Sequence, residues 1–450
     1  MKKQYIVRLK RPEPEAIRGI ETFLKERSQD IPPKRSPRRD SPHGGALPAG
    51  GILRDYGDVD MIPGRPAEVS DYRSTEDKYG DVDMIPGRPA EVSDYQSTED
   101  KRLWLMTSSK EAMDELSKKE GLEFQENVGL EVPKPSSVEL MAGGMGEAVS
   151  KYHLKLLGVD SSLHSQADGS NVKVAIIDSG MDRNHSEFKA TAKYLEAWDY
   201  WHPRPTFGKV TFVDLPPGSQ YEPRNYHGTA VAGMLCGASS GVAPGVTLIV
   251  YNVFYQESVA HEAKVLRWQE GGEWHEPETD IWRVEQALNR SYHKKVNADI
   301  ILMSMGRPGY HNCFDEELMG NPDATTLVIA AIGNDGPGTH CSPGDYEYVL
   351  SVGATDANDQ AWIRPDRKGT AGDLIKKGNA SYRVPVIYAP GANLALPVPK
   401  HIDPSGYISR SGTSFAAPLV AGVAALVIGW YKNRGKVITA SDVRDHLLET

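Results

Sequence analysis

Cysteine is scarce: the 450 residues contain three, Cys236, Cys313 and Cys341. An odd number cannot pair completely within one chain, and no two are spaced as CxxC. Neither a disulfide framework nor a zinc site is indicated, which fits a reducing interior. No run of about 18 apolar residues is present, so no membrane span or membrane partner is expected. The amino end, MKKQYIVRLKRPEPE, carries positive charge but only a short apolar run interrupted by Arg8, too little for a secretory leader. A cytoplasmic location is the expectation. Basic residues gather only at Lys34-Arg35-Ser36-Pro37-Arg38-Arg39, and the net charge is −10. Both argue against a nucleic-acid partner.

What is present suffices for a sizeable core: 39% of the residues are hydrophobic and 25% charged. The length predicts one large domain with a smaller one or a long appendage. Lys3 to Lys10 reads as a strand, and PEPEAIRGIETFLKERSQD carries Ile17, Ile20, Phe23 and Leu24 at helical spacing. Residues 32–55 have little apolar period. Residues 56–78 recur as 79–101 with Arg73 replaced by Gln96. Stacked repeats need at least three copies and a strong apolar face, so the pair reads as a tandem duplication within a flexible insert, 32–101. A sharper alternative is that the copies are peptides to be released or displayed. Order resumes with a strand in RLWLMTSS, a helix in KEAMDELSKKEG and a closing strand in LEFQENVGLEVP. Residues 1–133 thus describe a small α+β unit split by the insert.

Residues 134–170 read as loop and short helix. From Asn171 the character changes. VKVAII is a mostly β-branched run that reads as a fully buried strand. Similar runs follow at 247–253, 299–305, 326–332 and 348–354, with helical patterns at 228–236 and 281–295. Buried strands alternating with helices imply an α/β fold with a mostly parallel sheet flanked by helices, whose chemistry collects at the carboxyl ends of the strands.

Asp178 follows such a strand in AIIDSG. On its own it is as much a loop carboxylate or helix cap as a catalytic acid. His227 opens a small-residue helix in YHGTAVAGML, where the positive dipole end disfavours a charged imidazolium. It reads as a satisfied core histidine or as a base. Ser414, in SGTSFAAP, stands at the start of the apolar LVAGVAALVIGW, where unpaired N–H groups favour a developing negative charge. Alone it is an N-cap. Together the three present Asp, His and Ser in one chain order, each among small residues that let backbones approach.

With DSG, HGTAVAG and GTSFAAP in place, residues from about 150 to 450 resemble the subtilisin-like serine proteases. The resemblance implies a serine endopeptidase in which Ser414 is the nucleophile, His227 the base and Asp178 its orienting acid, with no cofactor needed for the chemistry. It further implies that Asn334, in AAIGNDG, supplies the oxyanion hole with the N–H of Ser414. Ser304-Met305-Gly306 would pair with an extended peptide or protein substrate, and with Ala331-Ile332-Gly333 would wall its specificity pocket. An apolar pocket for a large hydrophobic residue is the expectation. Arg307, where the family commonly has glycine, suggests acidic neighbours in the substrate, and the long loop at 256–280 leaves specificity beyond the first pocket open. The helix opened by His227 lacks the family's calcium-binding loop. Glu187 alone keeps a carboxylate where the family has a ligand, so no metal site is assigned, while structural calcium elsewhere stays open.

The front unit resembles the family's inhibitory propeptides. The enzyme is therefore expected as a zymogen inhibited by its own propeptide and cut between about 134 and 150, near Met145. The last helix, in SDVRDHLLET, suggests a minimal carboxyl end. Two rival readings remain open: a protease-like module that binds peptides without turnover, and a dedicated maturation protease whose repeat is cargo.

Overall fold

The computed structural model describes residues 3–9, 14–27, 94–97, 103–118, 122–126, 129–131, 151–188, 193–199, 226–254, 278–308, 314, 319–320, 324–363, 368–377 and 379–449. The chain divides into two compact units, Met1–Gln125 and Glu126–Thr450. The first contains β1 (Lys3–Leu9), α1 (Pro14–Arg27), β2 (Asp94–Ser97), β3 (Leu103–Ser108), α2 (Lys110–Leu116) and β4 (Leu122–Glu126). Its sheet has the order β2-β3-β1-β4. Tyr5, Val7 and Leu9 alternate inward from β1 and meet Ile20, Phe23 and Leu24 of α1, Trp104 and Met106 of β3, and Met113 and Leu116 of α2. The period of two on the strands and of three to four on the helices thus closes a single small core.

Two boundaries differ from the sequence reading. Asp94–Ser97, in the second copy of the repeat and inside the segment expected to be flexible, pairs antiparallel with β3, Tyr95 opposite Met106. The rest of the insert and the expected cleavage region around Met145 lie outside the described residues. The closing strand expected over 122–133 is two strands in different sheets. Residues after Glu126 form β5 (Gly129–Glu131), which pairs antiparallel with β9 (Glu278–Asp280) in the second unit.

The second unit continues with α3 (Tyr152–Leu156), α4 (Ser161–Gln166), β6 (Lys173–Asp178), β7 (Lys193–Asp199), α5 (His227–Cys236), β8 (Thr247–Asn252), then after β9 α6 (Ile281–Tyr292), β10 (Ile300–Met303), β11 (Arg307–Pro308), β12 (Leu327–Ala331), β13 (Asp335–Pro337), β14 (Cys341–Ser342), β15 (Leu350–Thr355), β16 (Gly369–Lys377), β17 (Ala380–Val384), β18 (Ile387–Pro390), β19 (Leu394–Pro397), β20 (Tyr407–Arg410), α7 (Thr413–Lys432) and α8 (Ala440–Leu448). Seven strands form one sheet in the order β18-β15-β12-β10-β6-β8-β7. Each neighbouring pair is parallel. The expected α/β fold, a parallel sheet flanked by helices, is present, with the small antiparallel sheet ahead of it. Strand order reverses between β6 and β10: the chain leaves β6 for β7 and β8 on one side, then crosses to β10 and moves outward on the other. Such a switch point opens a crevice beyond the strand ends.

The five expected central strands are near-continuous apolar runs because both faces are covered. All ten residues of α5 are buried, as suits a helix that is apolar all round. The twenty-residue α7 is long and apolar enough to cross a membrane, but 83% of its apolar window is buried inside the protein. It packs on the sheet, where Leu419, Ala421, Ala424 and Ala425 share one core with Ile176, Leu302 and Ile329.

Candidate active site

The three candidate residues lie toward the carboxyl ends of the central strands β6 and β10. Asp178 is the last residue of β6, and its backbone is tied down by Val253 N–H donating to its carbonyl at 2.9 Å. Ser179 N–H donates to Asp178 Oδ1 at 2.7 Å. His227 begins α5, and Ser179 Oγ accepts the N–H of Gly228 at 3.0 Å, so one of the helix's unsatisfied first N–H groups ends on the strand that carries the acid. Gly228 has no alternative there, since a Cβ at that position would overlap the carbonyl of Gly180. This close approach brings His227 Nδ1 to 2.9 Å from Asp178 Oδ1 and 3.0 Å from Oδ2. Both side chains are almost fully buried. A buried carboxylate accepting the Nδ1 proton leaves the lone pair on Nε2, the tautomer a general base requires.

Ser414 is the second residue of α7. The helix has no side-chain N-cap of its own, since Gly412 precedes it. Asn334 acts in its place. Asn334 Oδ1 accepts both the N–H and the hydroxyl of Thr413 at 3.0 Å, and Thr413 Oγ1 accepts the N–H of Gly333 at 3.2 Å. Two donors on Oδ1 fix which end of the amide is which, so Nδ2 is directed away from Thr413. A Cβ placed on Gly412, two residues before Ser414, would lie 3.4 Å from that nitrogen. Asn334 Nδ2 thus lies by the Gly412 turn that leads into Ser414.

The backbone of Ser414 is held by an arrangement that answers a proline in the same helix. Pro418 stands inside α7 and has no N–H to donate to the carbonyl four residues earlier, that of Ser414. Ser304 Oγ donates to this carbonyl instead, at 2.9 Å, while Ser414 Oγ donates to the carbonyl of Ser304 at 3.1 Å. The two serines clasp each other across the end of β10. The ring of Phe415 lies 5.5 Å from that of His227, so the imidazole borders the start of α7.

The expected pocket residues follow β10 and close β12. Met305 and Ile332 are fully buried. Ile332 belongs to a separate cluster with Ala371, Ile375 and Val384. Arg307 lies in β11, opposite Ser342 of β14. Sequence reasoning did not find that third segment, Cys341–Ser342. It is a two-residue strand between turns and carries no periodic signal. Of the long loop at 256–280, Glu278–Asp280 alone is described.

Glu187 is buried among donors. Its carboxylate accepts the N–H of Ser239 at 2.7 Å, the N–H of Ser240 at 3.3 Å and the hydroxyl of Tyr407 at 2.7 Å, and also the hydroxyl of Ser239. Burial raises its pKa, but these hydrogen bonds outweigh burial and hold the carboxyl below its ordinary range. A calcium ion here would face N–H and O–H dipoles of the wrong sign, so the residues present do not fit the family's ion. Among the described residues no three His, Cys, Asp or Glu side chains gather as a metal site would require.

The chain is similar to known proteins. The family model described as "Subtilase family" matches residues 169–450. The chain is 28% identical over 297 residues to subtilisin-like protease PopC of Myxococcus xanthus, covering 62% of this chain and 55% of PopC. It is 28% identical over 309 residues to subtilisin DY of Bacillus licheniformis, covering 66% of this chain and 90% of that protein. It is also 28% identical over 271 residues to the major intracellular serine protease of Bacillus subtilis, covering 58% and 69%. Among solved structures, the prenylagaramide maturation protease PagA is similar over 64% of this chain and 86% of its own, at 24% identity and a TM-score of 0.45.

Proposed function

Because the chain belongs to the subtilase family of serine proteases, we propose that it is an endopeptidase that hydrolyses internal peptide bonds through an acyl-enzyme. Ser414 Oγ attacks the scissile carbonyl, and His227 Nε2 takes its proton and passes it to the leaving amine. Asp178 holds the imidazole and balances its charge, and Asn334 Nδ2 with the Ser414 N–H receives the tetrahedral oxyanion. Water then repeats the sequence on the ester. The observation that carries this reading is the Asp178–His227 pair, in which both carboxylate oxygens hold Nδ1, with the ring of Phe415, the residue after Ser414, 5.5 Å from the imidazole. A peptide-binding module has no use for an imidazole held in one tautomer. The chemistry is proton transfer and acyl transfer, and it calls for no cofactor. Incubating the full chain with an unfolded protein substrate, beside a Ser414→Ala chain, tests the proposal. New fragments from the wild type alone are expected, and equal fragmentation by both would refute it.

The zymogen is part of the same proposal. The front unit, a small sheet with two helices ahead of the catalytic unit, is read as an inhibitory propeptide. Self-cleavage between 134 and 150 should convert wild type but not Ser414→Ala to a shorter species on a gel. Identical cutting of both would mean another protease does it. The relative named as intracellular supports a cytoplasmic location, which cell fractionation checks.

A further inference from the structure

The space beside the nucleophile is closed by a side chain. Two stretches of backbone flank Ser414: Ser304–Gly306, which holds its Oγ, and Ala331–Gly333, which holds the neighbouring Thr413. A third segment runs between them. Cys341–Ser342 pairs antiparallel with Arg307–Pro308 on the first side. On the second side, a Cβ on Gly344 would stand 2.8 Å from the carbonyl of Ala331 and 3.2 Å from Ile332 Cα. The segment therefore forms the far end of a slot whose two walls end in glycine.

Both wall glycines face the same thiol. A Cβ on Gly306 would collide with Cys341 Sγ, and a Cβ on Gly333 would meet Cys341 Cβ at 3.0 Å and Sγ at 3.7 Å. The room that the absent side chains of Gly306 and Gly333 leave between the walls is thus taken by the side chain of Cys341, with the carbonyl of Ser342 beside it at Gly306, and Cys341 is 2% exposed. Gly333 has φ +105°, a conformation open to few other residues, so that wall cannot readily reshape.

We propose that Cys341 is the specificity-determining residue of this site, closing the slot beside Ser414 so that the residue before the scissile bond must be small: glycine, alanine or serine. The inference rests on the proposed peptidase activity and replaces the large hydrophobic residue expected from resemblance alone. A Leu or Phe side chain entering between Gly306 and Gly333 needs the volume the sulfur holds. Forcing a larger group into a packed site costs about 1–3 kcal/mol, which corresponds to discrimination of roughly 5- to 150-fold in kcat/KM.

The test profiles cleavage of a peptide library, varied at the residue before the cut, by the full wild-type chain and by Cys341→Gly and Cys341→Ser. Wild type and Cys341→Ser, which fills nearly the same space, should favour alanine over phenylalanine by about tenfold or more. Cys341→Gly should raise kcat/KM for leucine and phenylalanine at least tenfold relative to alanine. Wild type cutting after phenylalanine as readily as after alanine would overturn the inference, as would an unchanged ratio in Cys341→Gly. Labelling each protein with a small fluorophosphonate, which needs no pocket, separates the two ideas. A labelled Ser414 with the wrong size preference removes only the role of Cys341, whereas an unlabelled wild type removes the peptidase activity and this inference with it.

Discussion

Removing the hydroxyl of Ser304 should expose the backbone defect that Pro418 leaves in α7. In Ser304→Ala the carbonyl of Ser414 loses the hydrogen bond that replaces the missing N–H of Pro418. Both serines are buried, so water does not readily substitute. An unsatisfied buried carbonyl costs about 1–3 kcal/mol, which for a catalytic unit of this size lowers Tm by about 2–6 °C. In Pro418→Ala the new N–H lies four residues after Ser414 and can donate to the same carbonyl, so this change alone should be within about 1 kcal/mol of neutral. On the Pro418→Ala background Ser304→Ala should cost much less, giving a coupling of about 1–2 kcal/mol. The assay is guanidinium unfolding followed by tryptophan fluorescence, with all four proteins built on Ser414→Ala to prevent self-digestion. That substitution removes the hydroxyl of Ser414 and keeps the carbonyl in question. If Ser304→Ala costs the same on both backgrounds, the idea that Ser304 compensates for Pro418 is wrong.

Thr413→Val should remove one donor from Asn334 Oδ1 and the acceptor of Gly333 N–H; with the amide less firmly oriented, kcat is expected to fall about 5- to 30-fold with KM nearly unchanged, and an equal rise in KM would point to a substrate-binding defect instead. His153 donates from Nε2 to the carbonyl of Ser240 at 2.9 Å, and burial lowers its pKa from 6.5. The unfolded chain therefore takes up this proton first as pH falls. The stability due to neutral His153 is complete above pH 6.5 and declines below it down to the folded-state pKa. His153→Asn on the Ser414→Ala background should flatten Tm against pH in that window, and curves parallel to the His153 protein would contradict the assignment. Glu187→Ala, which strands the donors that engage its carboxylate, should lower stability by about 2 kcal/mol or more in denaturant titration.

The parts of this fold that sequence reveals are those whose physics is local. Val174–Ile177 and Leu327–Ala331 are buried on both faces, and unbroken apolar runs announce that. Asp178, His227 and Ser414 sit where helices and strands meet at close quarters, and the small residues that permit the approach mark them. Edge strands are less legible. In β7, Lys193 and Leu195 are exposed, Tyr194 is half-buried and Ala197 is buried, the register shifts between Tyr194 and Glu196, and no apolar run betrays the strand. The strand read over 122–133 has no local feature showing that its two halves belong to different sheets; that depends on Glu278–Asp280, distant in the chain. Cys341 and the clasp of Ser304 with Ser414 are likewise tertiary facts. Proline in GTSFAAP shows that a carbonyl is left over, but only the folded chain shows which hydroxyl answers it.

The central claim is that Asp178, His227 and Ser414 form one working unit. A fluorophosphonate adds to a serine only when a neighbouring base removes its proton, so the rate of labelling reads that unit directly. Mass mapping of the labelled chain should place the adduct on Ser414, with the rate falling by about 10³-fold or more in His227→Ala and by a large factor in Asp178→Asn. An adduct elsewhere, or labelling of Ser414 at the wild-type rate in His227→Ala, would contradict the account.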